Sequence, residues 1–147
     1  MRKNVKQRLI SAACQARQGA VAPYSSFQVG AALLTRRGKI IRGANVESAS
    51  YGLTCCAERV ALFTALTAGE TNFTAIAVVA EALGGPMPCG ACRQLLAEYA
   101  PKARVWIADS RELKTIREFT VMELLPAPFL SIRRGGNRPG KPRPDYS

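Results

Sequence analysis

The chain has 147 residues, of which 48 % are hydrophobic, and a formal charge of +11 at pH 7, with 21 basic residues, 10 acidic residues and no histidine. This length and apolar content predict one globular domain rather than a fibrous or fully disordered chain. No apolar run approaches the roughly 20 residues of a membrane-spanning helix, and Met1-Arg2-Lys3-Asn4 leads into no signal-like segment, so we expect no membrane partner.

The positive charge is spread along the chain. Residues 131–147 are rich in Gly, Pro and basic side chains and carry a net charge of +4, which predicts a disordered tail after a single domain over residues 1–130. The other positive charges occupy many positions, without the interleaved aromatic residues of a single-strand binding surface. We therefore do not expect nucleic acid as a partner.

The first half of the chain predicts a helix and then a hairpin. Apolar residues recur on one helical face over residues 5–18, and Gly19 offers a stop. Residues 27–35 and 39–46 read as two strands joined by a turn at Gly38. The polar stretch 45–52 is long for a simple connection and leads into a cysteine pair, which favours a substrate loop, although an ordinary loop fits this stretch equally well.

The second half alternates helices and strands. Residues 56–68 and 90–99 are predicted helices, and residues 75–80 and 103–108 are short apolar strands. This order predicts crossover units on a covered sheet. Residues 112–125 are less clear, with one or two helical turns over 121–125 before Pro126.

Three cysteines have the spacing of a metal site. Cys56 begins one predicted helix, while Cys89 and Cys92 begin another. Three thiolates can hold one zinc ion and leave a fourth position open for water, as catalytic zinc requires. Glu58, two residues after the first thiol, is placed to move protons for that water, and this pattern is the three-cysteine form of the zinc deaminase signature.

Two other readings of the cysteines are weaker. A Cys-x-x-Cys pair can be a redox pair or half of a structural zinc knuckle. A structural site needs a fourth ligand, but the chain lacks histidine, Cys14 is predicted to be a buried helix thiol, and Cys55 directly adjoins Cys56. Five cysteines, three at metal spacing, also favour a reducing compartment, so we expect a cytoplasmic protein.

Two arginines lie next to the predicted zinc site. Three thiolates and one Zn²⁺ sum to −1, which would weaken the effect of the metal on water. Arg59 could donate to a thiolate sulfur from outside the ligand shell and offset this charge, and so could Arg93. The alternative is that both arginines form surface ion pairs.

From about residue 9 to residue 130, the sequence resembles the small zinc-dependent cytidine deaminases that work as homotetramers. The resemblance is carried by six motifs in chain order: YSSFQVGAAL (24–33), GANVE (43–47), ASYGLT (49–54), CAER (56–59), PCGACRQ (88–94), and ELLP (123–126) followed by Phe129.

This resemblance implies an α/β fold, a three-layer α/β/α sandwich with a mixed five-stranded sheet. It implies one zinc ion per chain, held by Cys56, Cys89 and Cys92. The implied activity is hydrolytic deamination of cytidine and 2′-deoxycytidine to uridine and 2′-deoxyuridine, with release of ammonia, in pyrimidine salvage. A zinc-activated water would react, and Glu58 would be the proton shuttle.

The resemblance also implies a nucleoside pocket. Phe27 would line it, and Asn45 and Glu47 would bond the ribose hydroxyls. The Ala57 backbone would face the pyrimidine edge. Tyr51 and Phe129 match aromatic residues near the site, with Phe129 reaching over the base from a neighbouring subunit of a homotetramer with shared active sites.

Three features depart from the family pattern: Ser48 after the glutamate, the thiol of Cys55, and the basic tail. Ser48 and the tail leave open an enzyme for N4-substituted or otherwise modified cytosine nucleosides, of the blasticidin S deaminase kind. An RNA or DNA editing enzyme would show the His-x-Glu form of the first motif. A non-catalytic zinc-stabilised binding module would explain the thiols but not Glu58.

Overall fold

A mixed five-stranded sheet forms the centre of the structure, a computed structural model that describes residues 2–130. Its strands are β1 (Val29–Thr35), β2 (Ile40–Ala44), β3 (Phe73–Ala80), β4 (Arg104–Asp109) and β5 (Arg117–Thr120). Its helices are α1 (Arg2–Ala16), α2 (Ala57–Thr67), α3 (Gly90–Tyr99) and α4 (Val121–Leu124), with short 3-10 helices at Arg17–Gly19 and Tyr51–Leu53. The predicted tail, residues 131–147, lies outside the described residues.

The helices cover both faces of the sheet. One core joins the sheet to α2, α3 and α4 through residues such as Leu62, Val78 and Leu96. The other core joins it to α1 through Leu9, Ala13 and their neighbours. Because each core fills one face, the molecule has three layers, and the predicted α/β/α sandwich with a mixed five-stranded sheet is confirmed.

The strand order, β2-β1-β3-β4-β5, follows from one hairpin and two crossovers. β1 lies between β2 and β3 and is antiparallel to both, so β2 and β3 run parallel and α2 crosses over from one to the other. β3 and β4 pair in parallel and are connected through α3. The predicted hairpin and crossover units are therefore confirmed.

The largest difference from the sequence prediction is β5, which pairs antiparallel with β4 at the sheet edge. Its four residues, REFT, are exposed or half-buried, so they lack the alternating apolar pattern that identifies a strand. The following helix, α4, is one short turn with a capping box between Thr120 and Glu123. Residues 112–125, whose structure was unclear from the sequence, therefore end in the strand β5 and the short helix α4.

The candidate site residues lie at one end of the strands of the sheet. At this end of the strands Val29 at the start of β1 is opposite Ala80 at the end of β3, and Gly30 is opposite Ala44 at the end of β2. The segments that precede β1, follow β2 and follow β3 therefore meet there. Gly43 lets α2 come close, because a Cβ atom would lie 2.4 Å from the Ala61 nitrogen.

Within residues 2–130, none of the helices has the length and apolar character needed to cross a membrane.

Candidate active site

A short extended segment, residues 45–47, connects the two parts of the site. On one side Val46 and Cys55 exchange two backbone hydrogen bonds, of 3.0 Å and 2.8 Å. On the other side the Val21 N–H donates to the Asn45 carbonyl, and the Glu47 N–H donates to the Val21 carbonyl, at 2.9 Å and 2.8 Å. The polar residues after β2 are thereby fixed beside the first residues of α2.

The three cysteines predicted to bind zinc come together where α2 and α3 begin. Cys56 is the N-cap residue of α2, and Cys89 is the N-cap residue of α3. The Cys89 sulfur lies 3.7 Å from that of Cys56 and 3.5 Å from that of Cys92. The free N–H groups and the positive dipole end of each helix favour negative charge, which stabilises thiolates here.

This arrangement fits zinc. Tetrahedral zinc with Zn–S bonds of about 2.3 Å requires sulfurs about 3.8 Å apart. All three sulfurs lie within 4.8 Å of one another, and within the described part of the chain they are the group of three potential ligands that could hold a metal ion. Three ligands leave the fourth tetrahedral position for water or substrate.

The Cys56 thiol ionises more readily than an ordinary cysteine thiol. Hydrogen bonding with the Cys92 thiol, followed by the guanidinium of Arg59, lowers the pKa of Cys56 to about 5. Cys92 responds in the opposite direction, since its hydrogen bond to the Cys56 thiolate and its burial raise its pKa. Metal binding displaces the remaining thiol protons, so zinc affinity depends on pH.

Arg59 lies next to the thiol of Cys56. Its Nη2 atom is 3.5 Å from the Cys56 sulfur and 3.1 Å from the Thr54 carbonyl oxygen. Arg93, by contrast, donates to the carbonyl oxygens of Pro88 and Leu124, at 2.8 Å and 3.0 Å. Arg59 therefore contacts a ligand sulfur, while Arg93 ties the loop before α3 to α4.

Glu58 is the second residue of α2 and is only 5 % exposed. Burial raises the pKa of its carboxyl group above the ordinary value, and the negative charge at Cys56 adds to this rise. A carboxyl group with a raised pKa beside a metal site binds a proton more readily than an ordinary carboxylate, which suits a group that accepts a proton and passes it on. The preceding residue, Ala57, is fully buried.

The other two cysteines lie outside the thiol cluster. Cys14 is half-buried and packs against the core beneath α1. Cys55 is also half-buried, and its backbone forms the bridge to Val46. Burial raises the pKa of Cys55, so this thiol remains protonated to a higher pH than an ordinary one.

Asn45 holds the chain that leads into β1. Its Nδ2 atom donates to the Phe27 carbonyl at 2.8 Å, and its Oδ1 atom accepts from the Val29 N–H at 2.9 Å. Asn45 is 7 % exposed, and within the described part of the chain one Nδ2 hydrogen remains for another acceptor.

Glu47 holds the same segment two residues further from β2. Its Oε1 atom accepts from the N–H groups of Tyr24 and Ser25, each at 3.1 Å, and its Oε2 atom accepts from the Ser25 hydroxyl at 2.5 Å. The Ser25 bonds, with help from Tyr24, hold the pKa of Glu47 below its usual value. The carboxylate is therefore ionised at neutral pH.

The three predicted aromatic residues are exposed: Phe27 at 41 %, Tyr51 at 81 % and Phe129 at 63 %. Tyr51 begins the 3-10 helix before the metal site. The Phe129 carbonyl oxygen accepts a hydrogen bond from Gln94 on α3, which keeps the end of the described chain next to the ligand helix.

Sequence reasoning assigned no role to Ser25, Thr54 or Gln94, although each lies within a motif that it used. Ser25 contacts Glu47 and Thr54 contacts Arg59, so each supports a predicted site residue through backbone or hydroxyl groups. Such contacts depend on tertiary placement and leave no local spacing signal. The Thr-x-x-Glu capping box at residues 120–123 was visible in the sequence and could have located α4.

Comparison with known proteins gives consistent results. Residues 3–108 match the family model of the cytidine and deoxycytidylate deaminase zinc-binding region. A cytidine deaminase of Halalkalibacterium halodurans is 54 % identical over 125 residues, covering 84 % of this chain and 93 % of that protein. A blasticidin-S deaminase of Bacillus cereus is 34 % identical over 114 residues, covering 71 % of this chain and 79 % of that protein.

A crystal structure of a cytidine deaminase from Burkholderia pseudomallei has the same fold. It superposes with a TM-score of 0.79 at 50 % sequence identity, and the match covers 83 % of this chain and 97 % of the other.

Proposed function

The chain belongs to the cytidine and deoxycytidylate deaminase family, and from this premise we propose that it hydrolyses cytidine and 2′-deoxycytidine to uridine and 2′-deoxyuridine with release of ammonia. The observation that carries the proposal is the buried Glu58 carboxyl group on the first turn of α2, beside three thiols that fit zinc. A binding module would not need an acid–base group beside an open metal position.

Cys56, Cys89 and Cys92 would hold the zinc ion, which when bound would supply the Lewis-acid chemistry that makes a water molecule acidic near neutral pH. Glu58 accepts the proton of the attacking water and delivers a proton to ring N3, which makes C4 more electrophilic. It then takes the proton of the new C4 hydroxyl group and delivers it to the exocyclic nitrogen, while the C4 oxygen becomes the carbonyl oxygen of the product. The new C4–O bond remains, the C4–N bond breaks, and ammonia leaves.

Arg59 supports this chemistry through its contact with the Cys56 sulfur. Its guanidinium group donates to the Cys56 sulfur, which withdraws electron density from the thiolate. With three thiolate ligands and a net charge of −1, the site would otherwise be a weak Lewis acid. We assign Arg59 the role of preserving the acidity of the metal.

The nucleoside is held by the segments that precede β1 and follow β2, at one end of the strands. Glu47 and Asn45 bond the ribose hydroxyls, the first as an acceptor and the second through its remaining Nδ2 hydrogen. Phe27 packs against the base, and the backbone at Ala57 faces the pyrimidine edge. Tyr51 and Phe129 complete the pocket.

The exposed aromatic residues support a homotetramer with shared active sites. Tyr51 and Phe129 are more than half exposed in the single chain; Tyr51 begins the 3-10 helix that precedes Cys56, and the Phe129 carbonyl oxygen is bonded by Gln94 on α3. A neighbouring subunit would cover this apolar surface and supply Phe129 to the site next to it. Light scattering on the purified protein tests this assembly, and a clean monomer would contradict it.

We place the enzyme in the cytoplasm, in pyrimidine salvage. Its five cysteines are all free thiols, and the zinc site depends on three of them, so a reducing compartment suits the protein. The substrate is a small nucleoside rather than nucleic acid.

The test is the ultraviolet absorbance change on mixing the purified protein with cytidine, with uridine and ammonia identified as products. Loss of the cytidine band with equal yields of both products would establish the activity. If cytidine is stable but N4-substituted cytidines are converted, the modified-nucleoside alternative holds. No turnover with either class, with one zinc per chain, would indicate a binding module.

A further inference from the structure

The Glu47 carboxylate is held mainly by one residue. Ser25 donates twice to it, from its backbone N–H to Oε1 and from its hydroxyl to Oε2. Because the two bonds reach different oxygens, they fix both the position and the rotation of the carboxylate. Glu47 also receives the Tyr24 N–H at Oε1.

The direction of the Ser25 hydroxyl is itself determined. Its oxygen accepts a hydrogen bond from the Phe27 N–H at 3.0 Å, and a serine hydroxyl has a single proton to donate. That proton therefore points at Glu47. The Phe27 N–H is bonded to Ser25, which holds Glu47, and the Phe27 carbonyl is bonded to Asn45, itself a proposed sugar ligand.

The two carboxylate oxygens differ in what they can still accept. A carboxylate oxygen accepts about two hydrogen bonds. Among residues 2–130, Oε1 has two donors, the N–H groups of Tyr24 and Ser25, and Oε2 has one, the Ser25 hydroxyl. The capacity for a sugar hydroxyl therefore lies at Oε2, the oxygen that the Ser25 hydroxyl holds.

We propose that Ser25 is the positioning residue for sugar recognition, holding Glu47 so that Oε2 accepts a hydrogen bond from a hydroxyl of the nucleoside. This inference rests on the proposed nucleoside deaminase function. Ser25 acts through Glu47 and not on the reacting atoms, so it governs the affinity for nucleosides that carry sugar hydroxyls and leaves the chemical step unchanged.

The test compares cytidine with 2′,3′-dideoxycytidine, which lacks both the 2′-hydroxyl and the 3′-hydroxyl that could bond to Glu47. Since bonds to a carboxylate are the strong ones, we expect Ser25→Ala to raise KM for cytidine by about tenfold with kcat within about twofold, the pattern of lost ground-state binding. KM for the dideoxynucleoside should not change. Ser25→Thr, which keeps the hydroxyl, should restore the affinity for cytidine.

Ser26→Asn is the matched control. Ser26 is the neighbouring serine and has φ of 60°, a conformation that asparagine adopts readily, so the substitution removes a hydroxyl without straining the loop. It should leave both KM values unchanged. In a Glu47→Ala background, where no carboxylate remains to be positioned, Ser25→Ala should have no further effect.

An equal rise in KM for both nucleosides would overturn the inference, because the hydroxyl would then act on the loop at Phe27. No rise for either nucleoside would overturn it as well. Calorimetric Kd values for uridine and 2′,3′-dideoxyuridine give the same comparison without turnover. If the protein binds uridine but fails to convert cytidine, only the deaminase function is contradicted. If it binds neither uridine nor 2′,3′-dideoxyuridine, both the deaminase function and the role of Ser25 are contradicted.

Discussion

Two parts of the site differ in how complete they are within one chain. The metal part consists of Cys56, Glu58, Arg59, Cys89 and Cys92, and the nucleoside part consists of Phe27, Asn45, Glu47, Tyr51 and Phe129. In the metal part, the first turns of two helices hold the ligands, and Glu58 and Cys92 are 5 % and 1 % exposed. In the nucleoside part the two residues proposed to bind the sugar, Asn45 and Glu47, are hydrogen-bonded, but all three aromatic side chains are exposed.

The difference shows which interactions each part depends on. Metal ligation requires sulfur positions fixed to a few tenths of an ångström, and helix N-termini anchored in the core provide such positions. A nucleoside pocket must open to admit its substrate, so its aromatic surface remains available to a ligand or a second subunit. We therefore expect changes in the metal part to slow or abolish the reaction, and changes in the nucleoside part to alter affinity.

The largest effect should follow removal of a metal ligand. Cys89→Ala leaves two sulfurs, so the protein should lose its zinc and all measurable turnover, and it should unfold at a lower temperature because metal binding contributes to folding stability. Zinc content by elemental analysis, rates with cytidine and thermal unfolding measure these effects. Cys14→Ala removes a thiol outside the cluster and should keep one zinc per chain. Full zinc occupancy in Cys89→Ala would refute the assigned ligand set.

Glu58→Gln should lower kcat by about 10² to 10⁴-fold while zinc remains bound, because the amide has nearly the same shape but cannot shuttle protons. Steady-state kinetics and zinc analysis on the same preparation test this separation. Glu70→Gln, beyond the other end of α2, is the control and should retain activity. If Glu58→Gln loses zinc together with activity, Glu58 is a structural support of the site rather than its proton carrier.

Arg59→Lys should have an intermediate effect. Lysine keeps the positive charge but not the planar donor group, so it cannot reproduce the paired contacts with the Cys56 sulfur and the Thr54 carbonyl. We expect a loss of about 10- to 100-fold in activity or zinc affinity, the range for residues that orient metal ligands. The exposed Arg42 on β2 serves as the control position. Unchanged kinetics and zinc affinity in Arg59→Lys would show that charge alone is sufficient.

Phe129 tests whether the nucleoside part is completed by another subunit. Phe129→Ala should raise KM about tenfold, because the base loses an aromatic contact. If the side chain crosses between subunits, co-refolding Phe129→Ala chains with inactive Glu58→Gln chains should produce some sites that hold both intact residues, with lower KM than Phe129→Ala alone. Mixing without such recovery would show that Phe129 serves its own chain.

The two parts also differ in how far the sequence predicted them. The three-cysteine cluster spans 33 residues between Cys56 and Cys89, but it could be predicted because a zinc site needs three ligands and the spacings Cys56-x-Glu58 and Cys89-x-x-Cys92 form a recognisable pattern. The contact between Ser25 and Glu47 could not be predicted from the sequence, because the two residues are 22 positions apart and meet only after β1 and β2 have paired. β5 was not recognised because an edge strand with exposed side chains lacks an apolar pattern. The predicted roles of the nucleoside residues remain predictions.

The smallest expected effect concerns Glu118, which lies outside both parts on β5. Its carboxylate accepts a hydrogen bond of 2.6 Å from the Trp106 indole and pairs with Lys6 at 3.1 Å. The Trp106 bond, followed by Lys6, holds the pKa of Glu118 below its ordinary value of 4.5. A carboxylate with a lowered pKa stabilises the fold above its unfolded-state pKa, and this contribution is lost as the pH falls through the lower folded-state value.

Glu118→Gln should therefore lower Tm by about 1 to 3 °C at pH 7, since a partly exposed ion pair contributes about 0.5 kcal/mol, and it should leave kcat/KM unchanged. The difference in Tm between wild type and variant should shrink as the pH is lowered below 4.5. Thermal unfolding at pH 7 and at several values below 4.5 measures it, with the exposed Glu112→Gln as the control. A difference that grows toward low pH would mean that Glu118 stabilises the fold when protonated. A loss of activity at pH 7 would show that the far side of the sheet is coupled to the metal part.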